Sequence, residues 1–265
     1  MYITADNLIK TRLIVDTHAH YDDERFSEYN ESLFAELEQN GVNAIINNSV
    51  DLDGSADACL NLSNNYSLFY SAIGIHPQTV SSDFVLDKDK FHNILKNRRK
   101  IVAIGEIGLD YYWSDEHKDK QKEIFIEQIK IAAEYNLPVI IHDREAHSDT
   151  MEIINRFKPK GTVHCFSGSS EMAEEIIKNG MYIGVGGVVT FKNAKKLCRV
   201  VEVTPLDRIL LETDAPYMAP EPLRGKTNLS AYLIFVARKI AEIKNVSVNE
   251  VLNTTAANAT KLYNL

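Results

Sequence analysis

Imidazoles and carboxylates recur near the ends of short apolar runs in this chain: His18 and His20, Glu106, His142, His164 and Asp214. A single histidine beside an acid says little. At the ends of successive strands, however, such groups converge on one mouth of a β/α barrel, where together they would hold divalent metal ions. Hydrolysis is the chemistry that follows, because a bound ion lowers the pKa of its water from about 15.7 toward about 7.

His18 and His20 lie two positions apart in Val15-Asp16-Thr17-His18-Ala19-His20. The period of two along a strand points both imidazoles the same way, so one ion could bind both; the plainer account is a polar pair ending a strand. Glu106 interrupts the apolar stretch Ala103-Ile104-Gly105-Glu106-Ile107-Gly108-Leu109-Asp110. An unpaired carboxylate there costs several kcal/mol, which favours a cation partner over a structural accident, with a buried salt bridge as the competing account. Its two oxygens could bridge two ions about 3.5–4 Å apart.

His142 ends Pro138-Val139-Ile140-Ile141-His142, and His164 interrupts Gly161-Thr162-Val163-His164-Cys165-Phe166. One such histidine is more often a satisfied core residue than a ligand; two on separate strands shift that balance. Asp214, in Leu210-Leu211-Glu212-Thr213-Asp214-Ala215-Pro216, ends the last strand and is the candidate proton acceptor for the attacking water, although an Asp before Ala-Pro also suits a turn. Glu212, facing the same way, is expected to orient a ligand from behind. Catalysis is thus assigned to Asp214 and Glu106.

His76, in Gly74-Ile75-His76-Pro77, has no second donor close in sequence and is assigned to substrate contact. Arg144, Lys192, Arg224 and Lys226 follow strands and would share the same mouth, where an arginine matches phosphate oxygens bidentately. Arg144, Arg224 and Lys226 are accordingly expected to bind substrate. The run Lys96-Asn97-Arg98-Arg99-Lys100 precedes a strand, so it belongs to the opposite face as a solvated surface. His117 and His147 read as solvated or capping residues.

The elements that must position these groups are legible as alternation. Leu13–Asp16, Val42–Asn47, Leu68–Ile75, Ile101–Ile107, Pro138–His142, Gly161–Cys165, Met181–Val185 and Ile209–Glu212 are apolar, β-branched runs of the kind that form buried parallel strands. Between them Glu31–Gln39, Asp87–Asn97, His117–Tyr135, Ser148–Phe157, Ser170–Asn179 and Ala194–Glu202 have helical spacing, and Ser230–Lys244 and Val248–Leu252 read as closing helices. Ser247 and Glu250 make a capping box, and Gly41 and Gly180 follow helices as left-handed stops. About eight such units in 265 residues predict a single-domain α/β protein, a (β/α)8 TIM barrel, with residues 1–12 as an N-terminal lead-in.

Composition narrows the class. With 45% hydrophobic and 25% charged residues the chain can bury a sizeable core, and it is neither fibrous nor disordered. The excess of 37 acids over 29 bases gives a formal charge of −8, which excludes a broad nonspecific grip on polyanions and requires any nucleic-acid contact to be local. Cys59, Cys165 and Cys198 have no CxxC spacing, so neither a disulfide framework nor a structural zinc site is indicated. The chain starts without the features of a secretory signal and contains no run of roughly 20 apolar residues, so no membrane association and a cytoplasmic location are expected. Nothing calls for an obligate protein partner.

Together the motifs resemble the TatD family of metal-dependent deoxyribonucleases, a branch of the amidohydrolase-like barrels. Asp16-Thr17-His18-Ala19-His20, Gly74-Ile75-His76-Pro77, Gly105-Glu106-Ile107-Gly108-Leu109-Asp110-Tyr111-Tyr112, Pro138-Val139-Ile140-Ile141-His142, His164-Cys165-Phe166-Ser167-Gly168 and Glu212-Thr213-Asp214-Ala215-Pro216-Tyr217 carry the resemblance, in family order across nearly the whole chain. It implies a site for two divalent ions, Mg, Mn or Zn, held by His18, His20, Glu106, His142, His164 and Asp214. It also implies hydrolysis of phosphodiester bonds at DNA ends, as a 3′ to 5′ exonuclease. The chain departs from the family pattern where an Asn-Glu-Pro triplet is usual, since Asn228 is followed by Leu229 and Ser230. Gln78 replaces a second histidine after His-Pro, and Tyr21 replaces a common leucine. All six ligands remain.

Two other classes compete. The same activated water attacks a carbonyl carbon, which would make the protein a D-aminoacyl-tRNA deacylase or a small-molecule amidohydrolase. A noncatalytic barrel scaffold is the third, and it has no reason to keep carboxylates and imidazoles aimed at one cavity.

Overall fold

The computed structural model describes residues 13–27, 31–96, 99–113 and 116–265. The expected lead-in over residues 1–12 lies outside them, as do Asn97 and Arg98 of the basic run. Eight β-branched runs, each covered on both faces, form eight strands: β1 Ile14–Ala19, β2 Val42–Asn48, β3 Phe69–Ile73, β4 Ile101–Asp110, β5 Val139–Arg144, β6 Gly161–Val163, β7 Tyr182–Val185 and β8 Ile209–Leu211. They make one sheet in chain order, every neighbouring pair parallel. Ala19 and Ala215 form a parallel bridge. There the Asp214 amide donates to the His18 carbonyl at 2.9 Å and the His20 amide to the Ala215 carbonyl at 2.7 Å, so the sheet's ends meet and the TIM barrel is nearly closed.

Helices α1 Glu31–Gln39, α2 Gly54–Asn65, α3 Lys88–Lys96, α4 Lys118–Glu134, α5 His147–Phe157, α6 Ser170–Lys178, α7 Lys195–Val203, α8 Leu233–Lys244 and α9 Val248–Tyr263 surround it. The main core includes Ile14, Ile45, Ile73, Ile104, Ile141 and Ile183 from the strands with Phe91, Phe125, Ile154, Ile176 and Val200 from the helices. A second cluster takes Val15, Ala44, Ile46, Ala72, Ala103, Ile140, Tyr182 and Leu210, with Ala259 and Tyr263 of α9. Most of these strand positions fall in the first half of their strand, so the barrel interior is apolar at that end, plugged by α9. The polar groups are left for the opposite mouth.

Expected and observed elements differ mainly at their ends. β1 runs on to Ala19, β4 to Asp110 and β5 to Arg144, whereas β6 stops at Val163 and leaves His164 just beyond it. α2 was not expected: Gly54-Ser55-Ala56-Asp57-Ala58-Cys59-Leu60-Asn61 is too polar to show a stripe, and tertiary packing of Ala56 and Cys59 holds the helix. α9 continues to Tyr263, about three turns past the expected stop, because Asn253, Thr254 and Thr260 give its outer face weak helix propensity. The Ser247 hydroxyl accepts from the Glu250 amide at 3.1 Å, and Gly41 (φ 89°) and Gly180 (φ 82°) occupy left-handed stops, as their spacing predicts.

Candidate metal centre

Regular alternation would not aim all of these groups into the barrel. The β1–β2 register shifts between Asp16 and Ala19, around His18, and the β4–β5 register shifts between Ile104 and Ile107, around Glu106. Each irregularity breaks the inward–outward count so that the side chain turns toward the mouth. Asp214 reaches the same space from a left-handed backbone (φ 55°), a conformation that Asp tolerates better than most residues.

Glu106 is at the centre. Its Oε1 lies 2.6 Å from both His142 Nδ1 and His164 Nε2, and 3.5 Å from His76 Nε2. Its Oε2 lies 3.3 Å from His18 Nε2 and 3.5 Å from His20 Nε2. Asp214 Oδ1 stands 3.6 and 3.5 Å from the same two nitrogens. His18, Glu106 and His164 are buried, while His20, His142 and Asp214 each show a little surface to a cavity of about 1060 Å3. All six sequence-predicted ligands therefore meet.

Hydrogen bonds on the far side of three of the rings, His20, His142 and His76, fix which nitrogen faces inward. His20 Nδ1 donates to the Asn48 carbonyl at 2.9 Å, leaving Nε2 as the inward lone pair. His142 Nε2 donates to Asp110 Oδ2 at 3.1 Å, which leaves Nδ1 to face Glu106. His76 Nδ1 accepts from the Gln78 amide at 3.1 Å, so in the neutral ring Nε2 carries the proton and points it at Glu106. That tautomer makes His76 a hydrogen-bond donor toward the site. Two pairs of inward nitrogens lie 3.1 Å (His18 and His20) and 3.2 Å (His142 and His164) apart. Lone pairs that close, beside carboxylate oxygens, call for protons or cations between them.

The electrostatics follow from that crowding. Burial, with the nearby His164 ring, pushes His18 down to about 4. For His142 burial acts downward too, but Asp110 and Glu106 outweigh it and raise the ring to about 9. At His20 burial is again outweighed, by Asp214 and Glu106, and the ring is raised. Burial acts upward on Glu106 and Asp214, yet the surrounding imidazoles overcome it and hold both below the usual carboxylate range. The donor set fits divalent cations: imidazole nitrogens and carboxylate oxygens form the overlapping triplets His18–Glu106–His164 and His18–His20–Asp214, each with ligand atoms within 4.8 Å of one another; a third group of the same span, His76–Glu106–His142, includes the His76 nitrogen that carries a proton.

Glu212 sits behind His164, its Oε1 accepting from the Cys165 amide and standing 4.0 Å from His164 Nδ1. Burial raises it to about 8. Gly184 makes the space, since a Cβ there would overlap the Glu212 carboxylate. Arg144 lines the cavity. Arg224 and Lys226 lie in an exposed loop after β8 and do not line it, the Arg224 guanidinium resting 4.3 Å from the Phe191 ring centroid. Lys192 is exposed as well, and the lysine that lines the cavity is Lys196, bonded to the Ser167 carbonyl at 2.8 Å. His147 pairs with Asp143 at 2.7 Å. His117 precedes α4 without capping it by its side chain.

Sequence reasoning gave no role to Asp110, which ends the β4 run as a second acid after Glu106; that repetition was the available signal. Two departures from the family pattern turn out to touch. Tyr21 Oη and Ser230 Oγ lie 2.9 Å apart, and Ser230 Oγ donates to Asp16 Oδ2 at 2.6 Å. Asp16 also accepts from the Thr213 amide and hydroxyl, tying β1 to the segment that carries Asp214. Gln78, the third departure, donates to Asp110 at 2.9 Å.

Residues 15–264 match the family model described as TatD related DNase. The metal-dependent hydrolase YabD of Bacillus subtilis (strain 168) is 39% identical over 256 residues, covering 96% of this chain and all of the relative. Among solved structures, the TatD homologue YjjV of Escherichia coli K12 superposes with a TM-score of 0.90 at 32% identity, covering 96% of this chain and 99% of that one. A TatD family hydrolase from Entamoeba histolytica superposes with a TM-score of 0.81 at 25% identity, covering 96% and 98%.

Proposed function

This chain belongs to the TatD-related family of metal-dependent hydrolases, and from that premise we propose that it cleaves phosphodiester bonds at the 3′ ends of DNA, with two divalent ions held by His18, His20, Glu106, His142, His164 and Asp214. The observation that carries this reading is the division of labour at Glu106: one oxygen faces His142 and His164, the other His18 and His20. A carboxylate so placed would hold divalent ions with both of its oxygens, one beside each pair of imidazoles. When bound, such ions supply a nucleophilic water at neutral pH and neutralise charge on a phosphodiester.

The chain's own residues do the rest. Asp214, kept ionised against burial by His20 and His18, accepts the proton of the attacking water. His76 offers its Nε2 hydrogen to a phosphate oxygen, and Arg144 and Lys196 at the cavity wall hold the phosphate in place. Glu212 and Asp110 keep His164 and His142 in position. Local capture of this kind suits a chain of net charge −8. No helix among the described residues is long and apolar enough to cross a membrane.

The test is 3′-end release from a labelled single-stranded oligonucleotide by chelator-stripped protein, with Mg²⁺, Mn²⁺ or Zn²⁺ returned. Stepwise shortening only with added ion is expected. Intact DNA under every ion, with release of the amino acid from charged tRNA, would replace this reading with carbonyl hydrolysis.

A further inference from the structure

Arg144, at the end of β5, lies over two aromatic rings that the metal centre does not use. Its guanidinium carbon is 3.8 Å from the Tyr112 ring centroid and 5.5 Å from that of Trp113, and the two rings meet edge to face at 5.0 Å. Tyr112 is 54% and Trp113 68% exposed, although rings that served packing would be covered. Trp113 lines the cavity together with Arg144, His142 and Glu106. Tyr217, exposed at the same mouth, rises from the β8 side of the barrel, across from β4. Its ring already carries Arg25 at 4.4 Å and its hydroxyl donates to Asp23. Trp113 is thus the large aromatic surface presented to whatever enters.

We propose that Trp113, propped by Tyr112 and Arg144, is a stacking platform for an unpaired base at the end of single-stranded DNA, next to the phosphate that reaches the Glu106 cluster. The inference rests on the phosphodiesterase reading above and names the residue that takes the terminal base. A base inside a duplex has neighbours on both faces and a paired terminal base is held in the plane of its partner, so a solitary indole is met most readily by an unpaired terminal base that is free to turn onto it. Arg144 stiffens the platform through its cation–π contact and puts a positive charge where the adjacent phosphate must pass. Stacking also works where electrostatic capture is weak, as it is for an acidic protein.

Trp113 is the one tryptophan in the chain, so its fluorescence reports on this surface alone. Titration with phosphorothioate-linked oligothymidylate, which resists hydrolysis, is expected to quench it saturably, and abasic nucleotides at the 3′ end are expected to abolish the quenching. In turnover of a single-stranded oligonucleotide, Trp113→Ala raises KM about tenfold with a much smaller change in kcat, and Trp113→Tyr recovers most of the loss. Unquenched fluorescence with an unchanged KM in Trp113→Ala, while the wild type still shortens DNA, overturns the platform and leaves the nuclease reading standing. Failure of the wild type to cleave DNA with any ion overturns both.

Discussion

The carboxylate of Glu106, buried in the barrel mouth, meets the imidazole of His142 at 2.6 Å, and His142 in turn shows its edge to the cavity. Four further imidazoles approach the same carboxylate within 3.5 Å. Removing it therefore leaves inward nitrogens without the group that balances them. Glu106→Gln keeps the shape but loses the charge that attracts cations, and it is expected to lower kcat at least ~1000-fold and to cut bound metal, with the fold retained. Elemental analysis beside turnover checks this. A variant that keeps both its metal and its rate would end the bridging role.

How much of this was legible follows from the kind of signal each residue carried. Glu106 stood out because an acid in an apolar run must be compensated, and His18, His20, His142, His164 and Asp214 because their strands could be counted. The register shifts that turn His18 and Glu106 inward left no mark in the sequence, since they depend on how β1 meets β2 and β4 meets β5. Asp110 was hidden for a related reason. Its role lies in which nitrogen of His142 it occupies, a matter of tautomer rather than spacing. Arg224 and Lys226 illustrate the converse: following a strand placed them in the right loop, but its fold carries them outside the cavity lining.

Asp110 tests that hidden layer. Asp110→Asn keeps the volume and, through its one oxygen, the bond from the Tyr112 amide, but the NH2 that replaces Oδ2 cannot accept from Gln78 Nε2 or from His142 Nε2. Metal affinity is expected to fall about 10- to 100-fold, with kcat at saturating ion changed much less. Titrating stripped protein with one ion by calorimetry separates the two. An affinity equal to that of the wild type would show that His142 needs no such partner.

Asp214 makes a sharper separation between holding metal and moving protons. It faces the cavity and stays ionised against burial because His20 and His18 stand beside it. Asparagine also tolerates the left-handed backbone at φ 55°, so Asp214→Asn should fold normally. Turnover is expected to drop about 100- to 10,000-fold at saturating ion, the usual contribution of a placed base. Should the variant regain its rate simply on raising the ion concentration, the residue acts as a ligand and the proton acceptor is elsewhere.

Glu212 gives a pH dependence that can be signed in advance. Burial raises its carboxyl from the ordinary 4.5 to about 8, so the folded protein holds this proton more tightly than the unfolded chain does. The resulting stability is fully present below pH 4.5 and is lost as pH climbs through about 8, with a ceiling of about 5 kcal/mol for so large a displacement. That displacement is what burial leaves after the Cys165 amide and the His164 ring have favoured the ionised form. Glu212→Gln can still accept from the Cys165 amide but does not titrate. In chelator-treated protein its melting temperature should therefore rise relative to the wild type between about pH 6 and pH 9. Histidines remote from this carboxyl titrate alike in both proteins and cancel from the difference, which reports Glu212 together with the His164 ring beside it. Parallel melting curves across that range would mean that Glu212 ionises in its place without cost, and that the space Gly184 leaves for it is wetter than the buried carboxylate implies.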